Sequence, residues 1–318
     1  MTATLANVKA FEPHTIPGSR RDLEDVDVAH VRSALEEHGA ILLRDFATSI
    51  DGFVDLGRRL CPVSVLNESP NRAMMGERGQ AQTVNLGNDP FPLHPELARE
   101  PWRPDVALFA CFDPPSVGGQ TNLCDGIAIA QGLPDELRAR LQDALLLYIN
   151  DASPEALEFW LGTSTPDDQL LANPPARCPY WFRRVQTRIL RGFTRPALEP
   201  TLFQGEPAWC NFALFARDYL GSRNFPLLNG QPIDDDMLDT VRSVARANTY
   251  AHAWQEGDVL VVDNTRFMHG RRAIADASGR QIATFFGYLE GIANRPGEPE
   301  SPIWRKEMFV PPDKPEGN

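Results

Sequence analysis

The sequence predicts a β-rich α+β protein built around one core, and three observations predict it. Short, strongly apolar segments stand on both sides of the chain's middle: residues 40–45 and 106–112 before it, 258–263 and 281–289 after it. The 28 prolines are spread along 318 residues, which favours short elements and long loops over a helical bundle. Strands before and after a helical, irregular middle suggest one core with a large insertion, not two independent domains. A double-sheet jelly roll suits that pattern, although composition alone does not choose it over an open α+β sheet. At ~150 residues per domain the length would allow two, but large barrels and sandwiches often run this long as one. The reading is therefore a single domain over 1–318, with an insertion over about 135–250 and a frayed polar tail over 311–318.

The elements follow in order. Residues 22–39 read as a helix, with Val26, Val28, Val31 and Leu35 apolar and Gly39 as the stop. Residues 40–45 are a buried strand. Ser49 can cap the next helix, which carries Phe53, Leu56 and Leu60 at three- and four-residue spacing. Residues 106–112 form an apolar strand ended by Pro114 and Pro115, and a helix over 135–147 follows Leu133-Pro134. The stretch 153–208, rich in proline and aromatics, has weak periodicity and reads as a few strands, 188–193 among them. Residues 234–248 are an amphipathic helix, and two firm strands close the chain at 258–263 and 281–289.

Charge and cysteine usage narrow the function. With 43 acidic against 31 basic residues the net charge is -12, which argues against a general nucleic-acid or anionic-membrane binder and leaves room for a local basic pocket. No apolar run approaches the ~20 residues of a membrane-spanning helix, and residues 1–12 lack the layout of a secretory signal. Cys61, Cys111, Cys124, Cys178 and Cys210 are scattered, without a CxxC pair, so reduced thiols in the cytoplasm are expected and thiolate zinc is not. The expected partner is a small-molecule substrate, with no nucleic acid and no membrane; a homo-oligomer is compatible with this.

His94-Pro-Glu96 lies just before the 106–112 strand. In an extended chain residues i and i+2 project to one face, so this imidazole and carboxylate can grip one ion. His269 lies beyond the 258–263 strand at its polar exit. Two histidines and a carboxylate with open positions opposite form the facial triad of non-haem ferrous oxygenases. His-x-Glu alone is frequent by chance; a histidine placed after Gly257-Asp-Val-Leu-Val-Val-Asp-Asn264 and before Gly270-Arg-Arg272 is harder to explain as packing.

On these residues, with the run 114–126 (Pro-Pro-Ser-Val-Gly-Gly-Gln-Thr-Asn-Leu-Cys-Asp-Gly) and the run 257–271, the chain resembles the taurine/α-ketoglutarate dioxygenase family. The resemblance covers about 40–134 and 254–291. It implies a double-stranded β-helix, a jelly-roll or cupin-like core with flanking helices, with iron at one mouth. It implies His94, Glu96 and His269 as the ferrous ligands, and Arg280, 11 positions beyond His269, as the partner of the distal 2-oxoglutarate carboxylate. Thr121, 27 positions beyond His94, supports the same co-substrate. A remote carboxylate suits arginine, whose planar fork pairs in two places; Thr121 read on its own is as easily a packed strand residue. Gly118-Gly119 reads as a tight turn, and Asp125 and Asn264 as turn-fixing residues.

Departures from the family pattern bear on substrate. Glu96 stands where aspartate is commoner, as in the branch resembling clavaminate synthase, which points to an amino-acid-like or natural-product substrate. The taurine branch carries a second arginine where this chain has Thr284, which disfavours taurine, and a carboxylate at 96 disfavours halogenation. The function implied is an Fe(II)- and 2-oxoglutarate-dependent dioxygenase that consumes O2, releases succinate and CO2, and oxidises an unactivated C–H bond, most simply by hydroxylation. A non-catalytic or hydrolytic cupin-like metal binder and a metal-free jelly-roll module are the rivals, and neither needs Arg280 or Thr121. Asn85, Trp209, Asn211 and Arg217 are the candidate substrate contacts, each also readable as surface polarity or core aromatic. Of the arginines 266, 271, 272 and 280, Arg280 is the one whose stem can enter the core, because it precedes the last apolar strand.

Overall fold

The computed structural model describes residues 11–77, 79–276 and 279–311. Its centre is an eight-stranded sheet. The order is His14–Pro17, Ala40–Arg44, Val259–Asp263, Val106–Asp113, Gln281–Tyr288, Ala81–Thr83, Met74–Met75, with Val63–Val65 also paired to Gln281–Tyr288. The outermost pair, His14–Pro17 with Ala40–Arg44, is parallel, and the others are antiparallel.

The central strands read as unbroken apolar runs because both faces of this sheet are covered. Val106, Leu108, Ala110, Val259, Val261 and Phe285 face the helices Val28–His38 and Ile50–Leu60, meeting Val31, Leu35, Phe53 and Leu56. The alternate residues, Ala107, Phe109, Leu260, Val262, Ile282 and Phe286, turn to the other face. There a four-stranded sheet, ordered Thr249–His252, Thr121–Asp125, Phe267–Arg271, Phe91–His94, brings the His269 ring to 4.9 Å from the Phe109 ring. The gap between the two sheets is where the conspicuous histidines meet.

Local chemistry sets the element ends. Asp27 accepts from the Ala29 and His30 N–H groups, so the first α-helix begins at Val28, not at 22; Leu23–Asp25 form a separate 3-10 turn. Gly39 ends it with φ of 74°. Ser49 caps the second helix through the Gly52 N–H. Gly118 and Gly119 both have positive φ in the turn before Thr121–Asp125. The helix expected over 135–147 is corrected: it spans Asp135–Gln142, and Leu145–Asp151 is a strand. Leu146 and Tyr148 alternate inward there and pair with Arg195 and Phe193, so cross-strand pairing overrides the helical propensity of the leucines.

That strand belongs to a second sheet formed by the middle of the chain: Trp181–Val185, Arg188–Pro196, Leu145–Asp151, Leu227–Leu228, Gln231–Pro232. Its Tyr148 and Phe193, with Tyr180 and Trp160, join the same apolar cluster as Phe109 and Phe286. All five cysteines are free, and four of them are buried. Among the described residues no helix is long and apolar enough to cross a membrane. Of the tail expected over 311–318, residues 312–318 lie outside the described residues.

Gly287 shows how tight the central sheet is: a Cβ there would stand 2.4 Å from Cys61 Cβ and 3.1 Å from the Val63 carbonyl. Gly287→Val should therefore destabilise the fold by about 1–3 kcal/mol, seen as a thermal midpoint several degrees lower; an unchanged midpoint would mean the strand pair can open at little cost.

Candidate metal centre

Two strand ends build the centre. His269 on Phe267–Arg271 lies directly opposite His94 on Phe91–His94, their rings 4.6 Å apart. Directly opposed side chains in an antiparallel pair are neighbours, so register alone brings together two histidines from distant parts of the chain. Glu96 arrives differently from the extended geometry expected: the strand ends at His94 and Glu96 sits in the turn after it. The turn is fixed by Asn264. Its Oδ1 accepts from the Glu96 N–H at 2.8 Å, and its Nδ2 donates to the Glu96 carbonyl at 3.0 Å and the Pro104 carbonyl at 2.9 Å. Asn264 fixes a turn as expected, but the turn is the one that carries the carboxylate.

One ligand atom from each of His94, Glu96 and His269 lies within 4.8 Å of the others, and Glu96 Oε2 is 3.6 Å from His269 Nε2. His94 Nδ1 donates to the Pro92 carbonyl at 2.8 Å, which leaves Nε2 with its lone pair free. Burial, reinforced by His269, pushes the His94 pKa down to about 3, so the ring is neutral and its lone pair is not taken by a proton. Burial opposes ionisation of Glu96, but Arg72 and His269 outweigh it and hold the carboxyl well below its usual range. Two imidazoles and a carboxylate gathered at one point fit a divalent ion with open positions.

The arginines separate clearly. Arg266 pairs with Asp125. Arg271 donates to the carbonyls of Asn85 and Asp89 at 2.7 Å each and lies over the Phe91 ring. Arg272 is exposed and reaches Asn122 at 3.3 Å. Arg280 is different: its Nε is buried without a hydrogen-bond partner, and no ion pair involves it among the described residues. Burial first and Arg271 second push its pKa down to about 10, which keeps it charged at neutral pH. Thr121 is buried at the position opposite Arg271, and its hydroxyl accepts from Trp254 Nε1 at 3.0 Å, leaving its own hydrogen to donate.

The proposed substrate contacts divide. Asn85 is near the centre, because its Oδ1 accepts from Arg72 Nε at 2.8 Å and Arg72 in turn reaches Glu96. The other three have structural work, and the structure corrects the expectation for them. Trp209 is fully buried in the core, its backbone N–H donating to the Gly126 carbonyl. Asn211 bridges the Ala197 carbonyl and the Ala213 N–H. Arg217 holds the Ser222 and Ile233 carbonyls and pairs with Asp235. Sequence reasoning missed Arg72 and Asn67. Arg72 Nη2 stands 3.1 and 3.3 Å from the two Glu96 oxygens, and Asn67 Nδ2 donates to Oε1. Neither sits in a periodic segment, so no pattern marks them. Thr284, buried, accepts from Arg72 Nη1 at 3.3 Å.

A histidine–glutamate–histidine cluster between two facing sheets is a donor set suited to one metal ion. The chain belongs to the taurine catabolism dioxygenase TauD, TfdA family, whose profile matches residues 4–285. By family it is a dioxygenase that uses iron and 2-oxoglutarate. A clavaminate synthase-like protein of Arabidopsis thaliana is 26% identical over 269 residues, covering 76% of this chain and 80% of that protein. The alpha-ketoglutarate-dependent 2,4-dichlorophenoxyacetate dioxygenase of Cupriavidus pinatubonensis is 24% identical, covering 80% and 86%. Among solved structures, PvcB from Pseudomonas aeruginosa superposes with a TM-score of 0.58 at 15% identity, covering 93% of this chain and 98% of PvcB.

Asn264→Ala removes both anchors of the Glu96 turn. It should weaken metal binding about 10- to 100-fold, as lost outer contacts to a ligand do, and destabilise the fold by about 1–3 kcal/mol through unpaired backbone groups. Anaerobic metal titration and thermal unfolding check this; unchanged affinity would mean the carboxylate is held without the clamp.

Proposed function

We propose that the two facing sheets are the halves of a double-stranded β-helix and that His94, Glu96 and His269 hold ferrous iron in its mouth. Arg280 pairs with the distal carboxylate of 2-oxoglutarate, and Thr121 donates its hydroxyl hydrogen to the same group. The reaction is oxidation of an unactivated C–H bond, most simply hydroxylation, in a small amino-acid-like or natural-product substrate, with release of succinate and CO2. The single observation that carries the reading is Arg280: a half-buried arginine whose Nε is enclosed without a hydrogen-bond partner, in the same fold as a histidine–glutamate–histidine cluster. A buried cation without a counter-charge is costly, and a co-substrate carboxylate removes that cost.

Iron, when bound, couples the oxidative decarboxylation of 2-oxoglutarate to attack on the C–H bond. The chain's own residues prepare for it. The Pro92 carbonyl fixes the His94 tautomer, and Asn264 aims the Glu96 turn. Trp254, by donating to Thr121, leaves that hydroxyl one hydrogen and one direction to use. Phe109 and Phe215 pack against the two histidine rings and give the cluster an apolar wall. A hydrolytic or non-catalytic cupin-like protein would have no use for Arg280. Thr284 in place of a second arginine stands against taurine, and Glu96 against halogenation.

The natural-product reading draws on the relatives' names: one is clavaminate synthase-like, and PvcB is described as an Fe, alpha-ketoglutarate dependent oxygenase from an isonitrile synthetic pathway. Free, buried cysteines suit a reducing compartment such as the cytoplasm.

Two variants test this reading. His269→Ala should lose iron-dependent 2-oxoglutarate turnover and bind iron much more weakly, since two ligands remain. Arg280→Ala should keep near-normal iron content but bind 2-oxoglutarate roughly 30- to 4000-fold more weakly, the equivalent of ~2–5 kcal/mol for a truncated buried charge pair. Arg280→Lys should recover only part, lacking the planar fork. Titration with 2-oxoglutarate under nitrogen reads both; binding by Arg280→Ala within about threefold of the natural protein, less than ~1 kcal/mol, would remove Arg280 from the co-substrate site.

A further inference from the structure

We infer that His252 is a third binding group at the far end of the 2-oxoglutarate site, and that the co-substrate binds there with uptake of one proton. The inference rests on the iron and 2-oxoglutarate reading above and adds a residue to that site. His252 is fully buried. Its Nε2 stands 3.0 Å from Asp258 Oδ2. The same carboxylate accepts from Arg44 Nε at 2.9 Å, from Arg44 Nη2 at 2.8 Å and from the Gln255 N–H at 3.0 Å. Asp258 is thus an acceptor on every side, and the hydrogen of its contact with His252 lies on Nε2. The other ring nitrogen, Nδ1, is buried without a hydrogen-bond partner among the described residues. An enclosed polar atom left unpaired costs free energy that a ligand group can recover.

Register places this ring at the co-substrate's level. His252 lies directly opposite Thr121, and Thr121 opposite Arg271, in one row across the smaller sheet. Two residues along, on the same face, the next row holds Leu123, His269 and His94. The two rows are about 7 Å apart, so a short dicarboxylate that grips the metal with its keto-acid end reaches the row of His252 with its other end. Trp254 stands edge-on to the His252 ring at 4.6 Å and donates to the Thr121 hydroxyl. On the facing sheet, Cys111 pairs in register with Ile282, two residues after Arg280, and its N–H donates to the Asp258 carbonyl. Cys111 is within electrostatic reach of both Asp258 and Arg280. His252, Thr121 and Arg280 therefore belong to one end of the space between the sheets.

The chemistry of the contact sets its protonation. A carboxylate has no hydrogen to give. Its contact with Nδ1 needs a hydrogen on that nitrogen while Nε2 keeps its own, so the ring binds as imidazolium and the proton comes from solvent. The titratable and charged groups around the ring are Asp258 with Arg44 behind it, Tyr250 with its ring 6.2 Å away, and Cys111 and Arg280 on the facing strands. Asp258 is already engaged by Arg44 and Arg280 is a like charge, so the incoming carboxylate is the group that balances the added proton.

The test is calorimetric titration of the Fe(II)-loaded protein with 2-oxoglutarate under nitrogen, at mildly alkaline pH, in buffers of different ionisation enthalpy. The dependence of the heat on the buffer should report uptake of about one proton, and affinity should fall as pH rises, by up to about tenfold per pH unit. 2-Oxopentanoate, which keeps the keto-acid chelate and lacks the distal carboxylate, should bind without that uptake; this comparison uses the natural protein alone. His252→Gln should keep near-normal iron content, bind 2-oxoglutarate about tenfold or more weakly at neutral pH and take up no proton. No buffer dependence with 2-oxoglutarate overturns the inference. So does equal uptake with 2-oxopentanoate or in His252→Gln, which would place the proton elsewhere. Failure of 2-oxoglutarate to bind the iron-loaded natural protein at all is a different result: it brings down the co-substrate reading, and the inference with it.

Discussion

The register between Phe91–His94 and Phe267–Arg271 is the constraint on which the site depends. A slip of one residue would send His269 to the other face of its strand and leave His94 without a partner. Two features hold that register. Thr121–Asp125 pairs along the full length of Phe267–Arg271 on its other side. Asn264 joins the loop before that strand to the turn after Phe91–His94, bonding to a residue 168 positions away. The large sheet contributes differently. Covered on one face by two helices, it presents Phe109 and Phe286 on the other as a rigid apolar floor under the histidines.

Several buried ions have their counter-ions. Arg305 pairs with Asp105 and Glu298, Arg103 and Arg195 share Glu199, and Arg44 pairs with Asp258. These pairs fasten loops and strands in an acidic protein, and removing one partner of such a pair is costly. Against that background Arg280 is conspicuous. Its Nε is buried without a hydrogen-bond partner, and burial lowers its pKa without neutralising it.

Much of this was legible in the sequence, and the reasons differ by element. The strands 106–112, 258–263 and 281–289 were plain because a sheet covered on both faces needs unbroken apolar runs. The meeting of His94, Glu96 and His269 could be read because their spacing and flanking segments make an ordered set. The 135–147 helix failed at its end, where Leu145–Asp151 is shaped by pairing with Arg188–Pro196. Trp209, Asn211 and Arg217 look functional by residue type, but hydrogen bonds to distant backbone decide their roles, and one sequence carries no trace of those. Arg72 is the converse: an arginine in an irregular segment, given meaning only by a carboxylate 24 positions on.

The choice of glutamate at 96 ties these threads together. Glutamate has one more methylene than aspartate, so its carboxylate is further from the backbone and has one more torsion to restrain. Left free, that arm would lose entropy on binding metal. The structure restrains it at both ends. Asn264 fixes the backbone of the turn, while Asn67 and Arg72 hold the oxygens. Arg72 is itself positioned by Asn85 and Thr284, one from the segment before His94 and one from the last long strand. A longer ligand thus requires a chain of supporting contacts. The contacts that restrain Glu96 therefore reach from the loop before His269 to the last long strand, so the position of one carboxylate depends on the packing of several separate segments.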